Sequence, residues 1–227
     1  MELEHIVPWG RSYDEYVAMF SLENPARRGA FLGCGDGPAA FNAVLTAQGG
    51  HVVSVDPLYR WGRAPIAERI RDTAPTLMRH VEACQDQFEW NQIASPDALR
   101  QTRLHSMDIF LADYEAGRRA GRYVTAALPH LPFPPGHFDQ VLCSHVLFTY
   151  SAQLDFTFHL AALRAMARAG RELRVFPLVT LKGELSPHLE AARRALGSEG
   201  MESELRPVSY RFQRGATHML RVFPPPR

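Results

Sequence analysis

The sequence contains one lysine, Lys182, and three cysteines, Cys34, Cys84 and Cys143. So few cysteines, odd in number, make no disulfide framework and fit a reducing, cytoplasmic setting. No apolar run is long enough to span a bilayer. The first residues carry Glu2 and Glu4 rather than a basic stretch followed by an apolar core, so no secretory signal is read there. Strong charge of either sign is also missing: the formal net charge is +1, which gives no global field toward nucleic acid or membrane. The arginines are scattered among Asp and Glu, as base-composition bias would leave them, rather than gathered into a phosphate-binding patch. His-Glu-x-x-His does not occur and no cysteine pair has zinc spacing, so no metal site is expected.

What is present suits one ordinary core. The 227 residues are 46% hydrophobic, and residues 1–227 read as a single domain. Residues 1–29 form a leader: Ser12-Tyr-Asp-Glu15 is a capping box opening a helix with Tyr16, Val17, Met19, Phe20 and Leu22, stopped by Asn24-Pro25. Residues 30–34 read as a buried strand, 38–48 as a helix and 51–55 as a second strand, a β-α-β unit that argues for a parallel sheet. Residues 60–121 are charged and helical in pattern. They are read as an insertion between the second and third strands, divided by Pro65, Pro75 and Pro96, with a helix from Ser95-Pro96-Asp97 to about Ala116. Strands are expected at 122–126, 138–144 and 172–177, helices at 152–169 and from Ser186-Pro187 to about Gly197, and a closing strand pair at 203–210 and 217–223, before Pro224-Pro-Pro226. Alternating strands and helices predict an α/β, Rossmann-like, mostly parallel seven-stranded sheet with helices on both faces and an antiparallel strand near the end.

The informative segment is Leu32-Gly-Cys-Gly35-Asp-Gly37-Pro-Ala-Ala40, between a strand and a helix. Glycines there let a ligand approach the main chain, and the helix start offers free N–H groups. Asp56 lies nineteen residues after Gly37, at the tip of the second strand. A carboxylate there can accept both hydroxyls of an adenosine ribose, in S-adenosylmethionine (SAM) proteins and dinucleotide enzymes alike. A tight turn with a capping Asp explains the same residues without a ligand. Gly35-x-Gly37-x-x-Ala40 also fits the dinucleotide fingerprint, but a short-chain dehydrogenase would bring a Tyr four residues before its Lys, and Lys182 has Leu178 there.

Leu131-Pro-Phe-Pro-Pro-Gly-His-Phe-Asp-Gln-Val-Leu-Cys-Ser-His-Val-Leu-Phe148 resembles the fourth-strand region of class I SAM-dependent methyltransferases. The resemblance covers residues 28–59 and 122–177. More closely, W-G-R-S at 9–12, S-V-D-P-L-Y at 54–59, C-S-H-V-L-F at 143–148 and F-Q-R-G at 212–215 resemble bacterial methyltransferase-like proteins without an assigned substrate. It implies SAM as cofactor, in a cleft of Gly33, Gly35, Asp36, Gly37, Asp56, Pro57, Leu58 and Ser144. From the leader, Arg11 would pair the methionine carboxylate and Tyr13 and Tyr16 would close over the cleft, or else the leader helix only packs on the sheet. Two positions depart from the family pattern. The acid that usually ends the first strand is replaced by Gly33, with Asp36 or backbone groups left to compensate, and the acid after the third strand is replaced in Ala126-Ala127-Leu128.

A sulfonium methyl is already activated, so alignment and exclusion of water carry most of the catalysis, and a base is needed only for a nucleophile that must lose a proton. His145 and Tyr150 are the candidate catalytic residues, although a histidine at a strand end also serves as a hydrogen-bonded structural residue. Asp56-Pro-Leu-Tyr59 superficially matches the Asp-Pro-Pro-Tyr of DNA amino-methyltransferases but stands after the second strand, where that chemistry does not place it. Cys34 and Cys143 are expected on neighbouring strands, packing the core or, alternatively, forming a redox pair. Trp9, Trp61 and Trp90 flank the expected cleft. The reading is methyl transfer to a small-molecule substrate, with no nucleic-acid or membrane partner and the oligomeric state open. The alternatives are a catalytically silent module binding SAM or another adenine nucleoside and, behind it, an NAD-dependent oxidoreductase.

Overall fold

The computed structural model describes residues 7–225; Glu2, Glu4 and Pro226 lie outside the described residues. The chain runs through α1 (Tyr13–Phe20), β1 (Ala30–Cys34), α2 (Phe41–Ala47), β2 (His51–Val55), α3 (Arg63–Ala83), α4 (Pro96–Arg119), β3 (Tyr123–Val124), β4 (Phe138–Ser144), α5 (Phe156–Ala169), β5 (Gly170–Phe176), α6 (Leu189–Ser198), β6 (Glu202–Pro207) and β7 (His218–Phe223). The seven strands lie in the order β3-β2-β1-β4-β5-β7-β6. All pair in parallel except β7, which is antiparallel to both β5 and β6. This is the expected Rossmann-like sheet.

β1 reads Ala-Phe-Leu-Gly-Cys and is buried from Phe31 onward, the continuous apolar run of a strand covered on both faces. α5 and α6 pack on one face through Ala162, Leu163, Met166, Leu189 and Leu196. α1 and α2 pack on the other through Tyr16, Met19, Phe20, Phe41 and Leu45. β6, at the edge, is mostly exposed and carries Glu202, Glu204 and Arg206, charges that discourage edge pairing. Cys34 and Cys143 are register partners on β1 and β4, both fully buried and both free. Burial raises both thiols, as suits packing rather than redox use.

The insertion is two long helices with their own core. Ile66 and Ile70 of α3 meet Met107, Phe110, Leu111 and Tyr114 of α4, together with Tyr59 and Tyr123. α4 lies against β3 so closely that a Cβ on Gly117 would come within 2.4 Å of the Tyr123 ring. Pro75 does not divide this region as expected: α3 runs through it, because the buried stripe from Ile66 to Val81 holds the helix against the loss of one N–H. Pro65 sits in the first turn, where proline is tolerated.

Several boundaries also move. α2 starts at Phe41 because residues 38–40 finish the glycine turn. α4 continues past Ala116 to Arg119. α5 starts at Phe156 because the Asp155 carboxylate caps it, accepting from the Phe158 N–H at 2.8 Å. α6 starts three residues after Ser186. β3 shrinks to two residues, since it is an edge strand and the chain leaves it to wall a cavity. β6 stops at Pro207, and Val208, Tyr210 and Phe212 turn away to pack with α1.

Candidate functional site

The C-terminal ends of β1, β2, β3 and β4 open on one cavity of about 470 Å³, roofed by the leader residues Val7, Trp9, Arg11 and Tyr16. That is where a sheet of this kind leaves room for a ligand, and the volume suits a small molecule. Gly35 (φ +68°) and Gly37 (φ +52°) make the bend after β1. A Cβ on Gly35 would meet Val146 Cγ2 at 2.6 Å, whereas one on Gly37 would find only Asp56 Oδ2, 3.9 Å away. The first glycine is needed for packing and backbone conformation, and the second leaves its face open.

Asp56 turns onto that bend. Its Oδ2 accepts from the Gly37 N–H at 2.9 Å and its Oδ1 from the Leu58 N–H at 2.7 Å. Each oxygen keeps a lone pair for a ligand hydroxyl. Burial raises this carboxylate, and the two N–H bonds hold the rise back. Tyr59, beneath, donates to the Gly37 carbonyl at 2.7 Å and locks the bend from below. Pro57 and Leu58 line one wall and Ala126, Ala127 and Leu128 face it.

Asp36 stands on the opposite side of the bend. Tyr16 donates to its Oδ1 at 2.8 Å and Ser54 to its Oδ2 at 2.6 Å. Ser54 in turn accepts from Asn42 at 3.0 Å. The carboxyl is pushed up to about 6, first by burial and then by neighbouring Asp56, with the two hydroxyl bonds opposing. No described residue forms an ion pair with Asp36.

Arg11 enters the same cavity from the leader. It shares its surroundings with the buried pair Glu15–Arg103, to which Tyr210 adds a hydrogen bond on Glu15 at 2.7 Å. Two guanidiniums thus meet one carboxylate. Burial, then Arg103, lowers Arg11 to about 10. Its Nη1 donates to the Trp9 carbonyl, and its buried Nε has no partner.

His145 follows β4 in a left-handed conformation (φ +56°), costly for a residue with a side chain. The amide of His145 bonds the Phe176 carbonyl at 2.8 Å, and its ring Nδ1 lies 2.9 Å from Ser144 Oγ. The ring lies against the cavity, and either His145 Nδ1 or the Ser144 hydroxyl can be the donor of their bond. Burial, then Arg11 and Arg103, lowers His145 well below its usual range, so the ring is neutral. Tyr150 also lines the cavity, and burial raises its hydroxyl.

No family model matches the chain. The uncharacterised protein MJ0045 of Methanocaldococcus jannaschii is 26% identical over 221 residues, 97% of each chain. Among solved structures, the magnesium protoporphyrin IX methyltransferase of Synechocystis PCC 6803 with bound SAM aligns at a TM-score of 0.46 and 15% identity, over 94% of this chain and 78% of that one. The neocarzinostatin O-methyltransferase NcsB1, in complex with SAM and a naphthoic acid, aligns at 0.48 and 14%, over 92% of this chain and 52% of that one.

Of the residues expected to form the cleft, Arg11, Tyr16, Gly35, Asp36, Gly37, Asp56, Pro57, Leu58, Ser144, His145 and Tyr150 all line this cavity. Gly33 does not: the Asp36 carboxylate covers it. Tyr13 stacks on Phe41 with ring centroids 5.8 Å apart instead of closing the cleft. Trp9 and Trp61 reach the cavity, while Trp90 packs on Phe88 and Phe212. The supporting residues Asn42, Arg103 and Tyr210 carry no motif, whereas Ser54 opens the S-V-D-P-L-Y stretch at 54–59. Among the described residues no group of three or more His, Cys, Asp or Glu is placed to hold a metal ion, and no helix is long and apolar enough to cross a membrane.

Proposed function

We propose that the chain is a SAM-dependent methyltransferase acting on a small-molecule acceptor. The observation that carries this reading is Asp56, seated on the Gly37 N–H at the mouth of the cavity with lone pairs left for a ribose. The residues present fit an adenosyl donor: an open glycine face, the apolar wall of Pro57, Leu58 and Ala127 for a base, and a carboxylate and a guanidinium without counter-charges deeper in. SAM, when bound, supplies an electrophilic methyl group. Arg11 binds a carboxylate and Asp56 orients the sugar. The apolar residues Leu128, Val146, Leu154, Phe158 and Leu181 exclude water from the remaining space and favour an apolar acceptor. His145 Nε2 takes the proton of an acceptor hydroxyl or amine as it reacts. A silent nucleoside-binding module would need no such base, and the neutral His145 ring facing the cavity, hydrogen-bonded to Ser144, favours catalysis over that second reading.

Calorimetry with SAM, its demethylated product S-adenosylhomocysteine (SAH) and NAD tests the ligand. Binding of the first two, abolished by Asp56→Ala, supports it; binding of NAD alone overturns it. Transfer of labelled methyl to an acceptor from a metabolite extract, lost in His145→Gln, supports the enzyme over the module.

A further inference from the structure

The charged residues that line the cavity divide by exposure. Asp36, Asp56 and Arg11 are drawn into the wall, whereas Arg60 and Arg69 line it from exposed positions at its mouth. Neither exposed guanidinium has an acidic partner among the described residues. Arg60 instead lies over the Trp61 ring, 4.9 Å from its centroid. Trp61 lines the cavity too and is 46% exposed, an unusual share for a tryptophan. Its exposure is fixed in place: Tyr114 donates to the Trp61 carbonyl at 2.8 Å, and Arg118 donates to the same oxygen at 3.5 Å. α3 continues this wall. Arg69 and Leu77 both face the cavity from that helix, and eight residues of helix span about 12 Å. Along its length the wall changes from two guanidiniums and an indole to an apolar side chain.

The donor does not call for this charge. SAM carries a sulfonium and an ammonium against a single carboxylate, so arginines at the mouth repel it. The cavity's own carboxylates do not neutralise them, since Asp56 is turned onto the Gly37 and Leu58 N–H groups and Asp36 onto the Tyr16 and Ser54 hydroxyls. What two unpaired guanidiniums beside an exposed indole attract is an anion joined to an apolar body.

We propose that Arg60, Trp61 and Arg69 dock the anionic group of the methyl acceptor, a carboxylate or a phosphate, and that the acceptor is therefore an amphipathic acid with an apolar body inside the cavity and its charge held at the mouth. This rests on the methyltransferase function proposed above and narrows its substrate class. The three residues bind the acceptor away from the reacting atoms, so they set its KM and not the chemical step.

The test splits a metabolite extract, freed of macromolecules by ultrafiltration, on an anion exchanger and offers each fraction to the enzyme with methyl-labelled SAM. Acceptor activity should lie in the retained fraction. Phosphatase treatment of that fraction then distinguishes the two sources of charge: lost activity marks a phosphate ester, and surviving activity marks a carboxylate. With the active fraction, Arg60→Gln combined with Arg69→Gln should raise acceptor KM by about 5- to 30-fold, the range for two partly exposed ion pairs, with kcat little changed. Added salt should raise acceptor KM in wild type and much less in the double variant. Calorimetry should show the double variant binding SAM at least as tightly as wild type. Acceptor activity confined to the unretained fraction, an acceptor KM that the double variant does not move, or SAM affinity that falls with the two arginines would overturn this proposal and leave the methyltransferase reading standing. SAM binding with no transfer to any fraction would overturn it in favour of the silent module, and no binding of SAM to wild type would overturn both readings.

Discussion

Glu15 and Arg103 form an ion pair buried on both sides, with side chains 8% and 1% exposed, linking the first turn of α1 to the middle of α4. The same carboxylate accepts from the Ser12 N–H at 2.8 Å, completing the capping box, and from Tyr210 at 2.7 Å. Removing it strands the buried Arg103 guanidinium. Glu15→Ala should therefore cost roughly 3–5 kcal/mol by urea titration, the scale of a broken buried pair. Glu15 also sets an acid limit. Burial opposes its ionisation, but Arg103 and the other cationic and N–H partners win and hold it at about 2 against 4.5 unfolded. The unfolded chain takes up this proton first, so the contribution is full above pH 4.5 and is lost as pH falls toward 2. A wild-type acid limb that Glu15→Gln leaves unchanged would refute the assignment.

Asp36 has the opposite sign. With its folded value raised to about 6 from 3.8, the native state keeps a proton the unfolded chain has already released. Ligand-free stability should thus fall as pH rises from about 4 to 6, by roughly 2–3 kcal/mol from this group. Asp36→Asn should raise the ligand-free melting temperature at pH 8, by about 4–10 °C for a chain of this size, and the gain should vanish near pH 4. A gain of stability on losing the charge is what a buried carboxylate kept for a site, and not for the fold, should show. A variant less stable at pH 8 would show that the carboxylate serves the fold instead.

Much of this architecture was legible from local pattern. β1 declared itself as a five-residue apolar run and β2 by its three valines, and Ser12 and Glu15 announced α1 by their spacing. The bend at Gly35 and Gly37 and the acid at Asp56 were legible because each must sit at a strand end to be useful. Pro75 misled because helix propensity is a local quantity, whereas the stripe from Ile66 to Val81 is stabilised by α4. Gly33 read as a lost acid. That the Asp36 carboxylate lies over it depends on how sharply the loop folds back, which spacing does not report. The second role of Glu15 was hidden as well: Arg103 lies 88 residues away and Tyr210 lies 195 away, and only the packing of the leader against both brings them together.

Gly35 invites a test that separates conformation from space. Alanine there faces both a φ of +68° and the Val146 methyl at 2.6 Å. Gly35→Ala should destabilise by at least about 1 kcal/mol through the backbone alone, with overpacking added on top. Gly35→Ala with Val146→Ala should recover only the overpacking part. Full recovery of stability in the double variant would mean that the left-handed conformation at Gly35 is not required.

His145 gives the kinetic prediction that bears most on mechanism. Its ring is kept neutral by burial and by the fields of Arg11 and Arg103, so it needs no deprotonation to act as a base near neutral pH. The pH profile of kcat should therefore show no acid limb in the ordinary histidine range, while donor KM should rise below about pH 6 as Asp36 takes up its proton. His145→Gln should lower kcat by about 10²- to 10⁴-fold with donor KM little changed. Ser144→Ala removes the hydrogen-bond partner of Nδ1 and frees the ring, so it should lower kcat by a smaller factor without moving the melting temperature. A kcat that falls through pH 6.5 in wild type would show that His145 is protonated in the resting site. A His145→Gln enzyme with unchanged kcat would assign proton removal to water or to the acceptor itself.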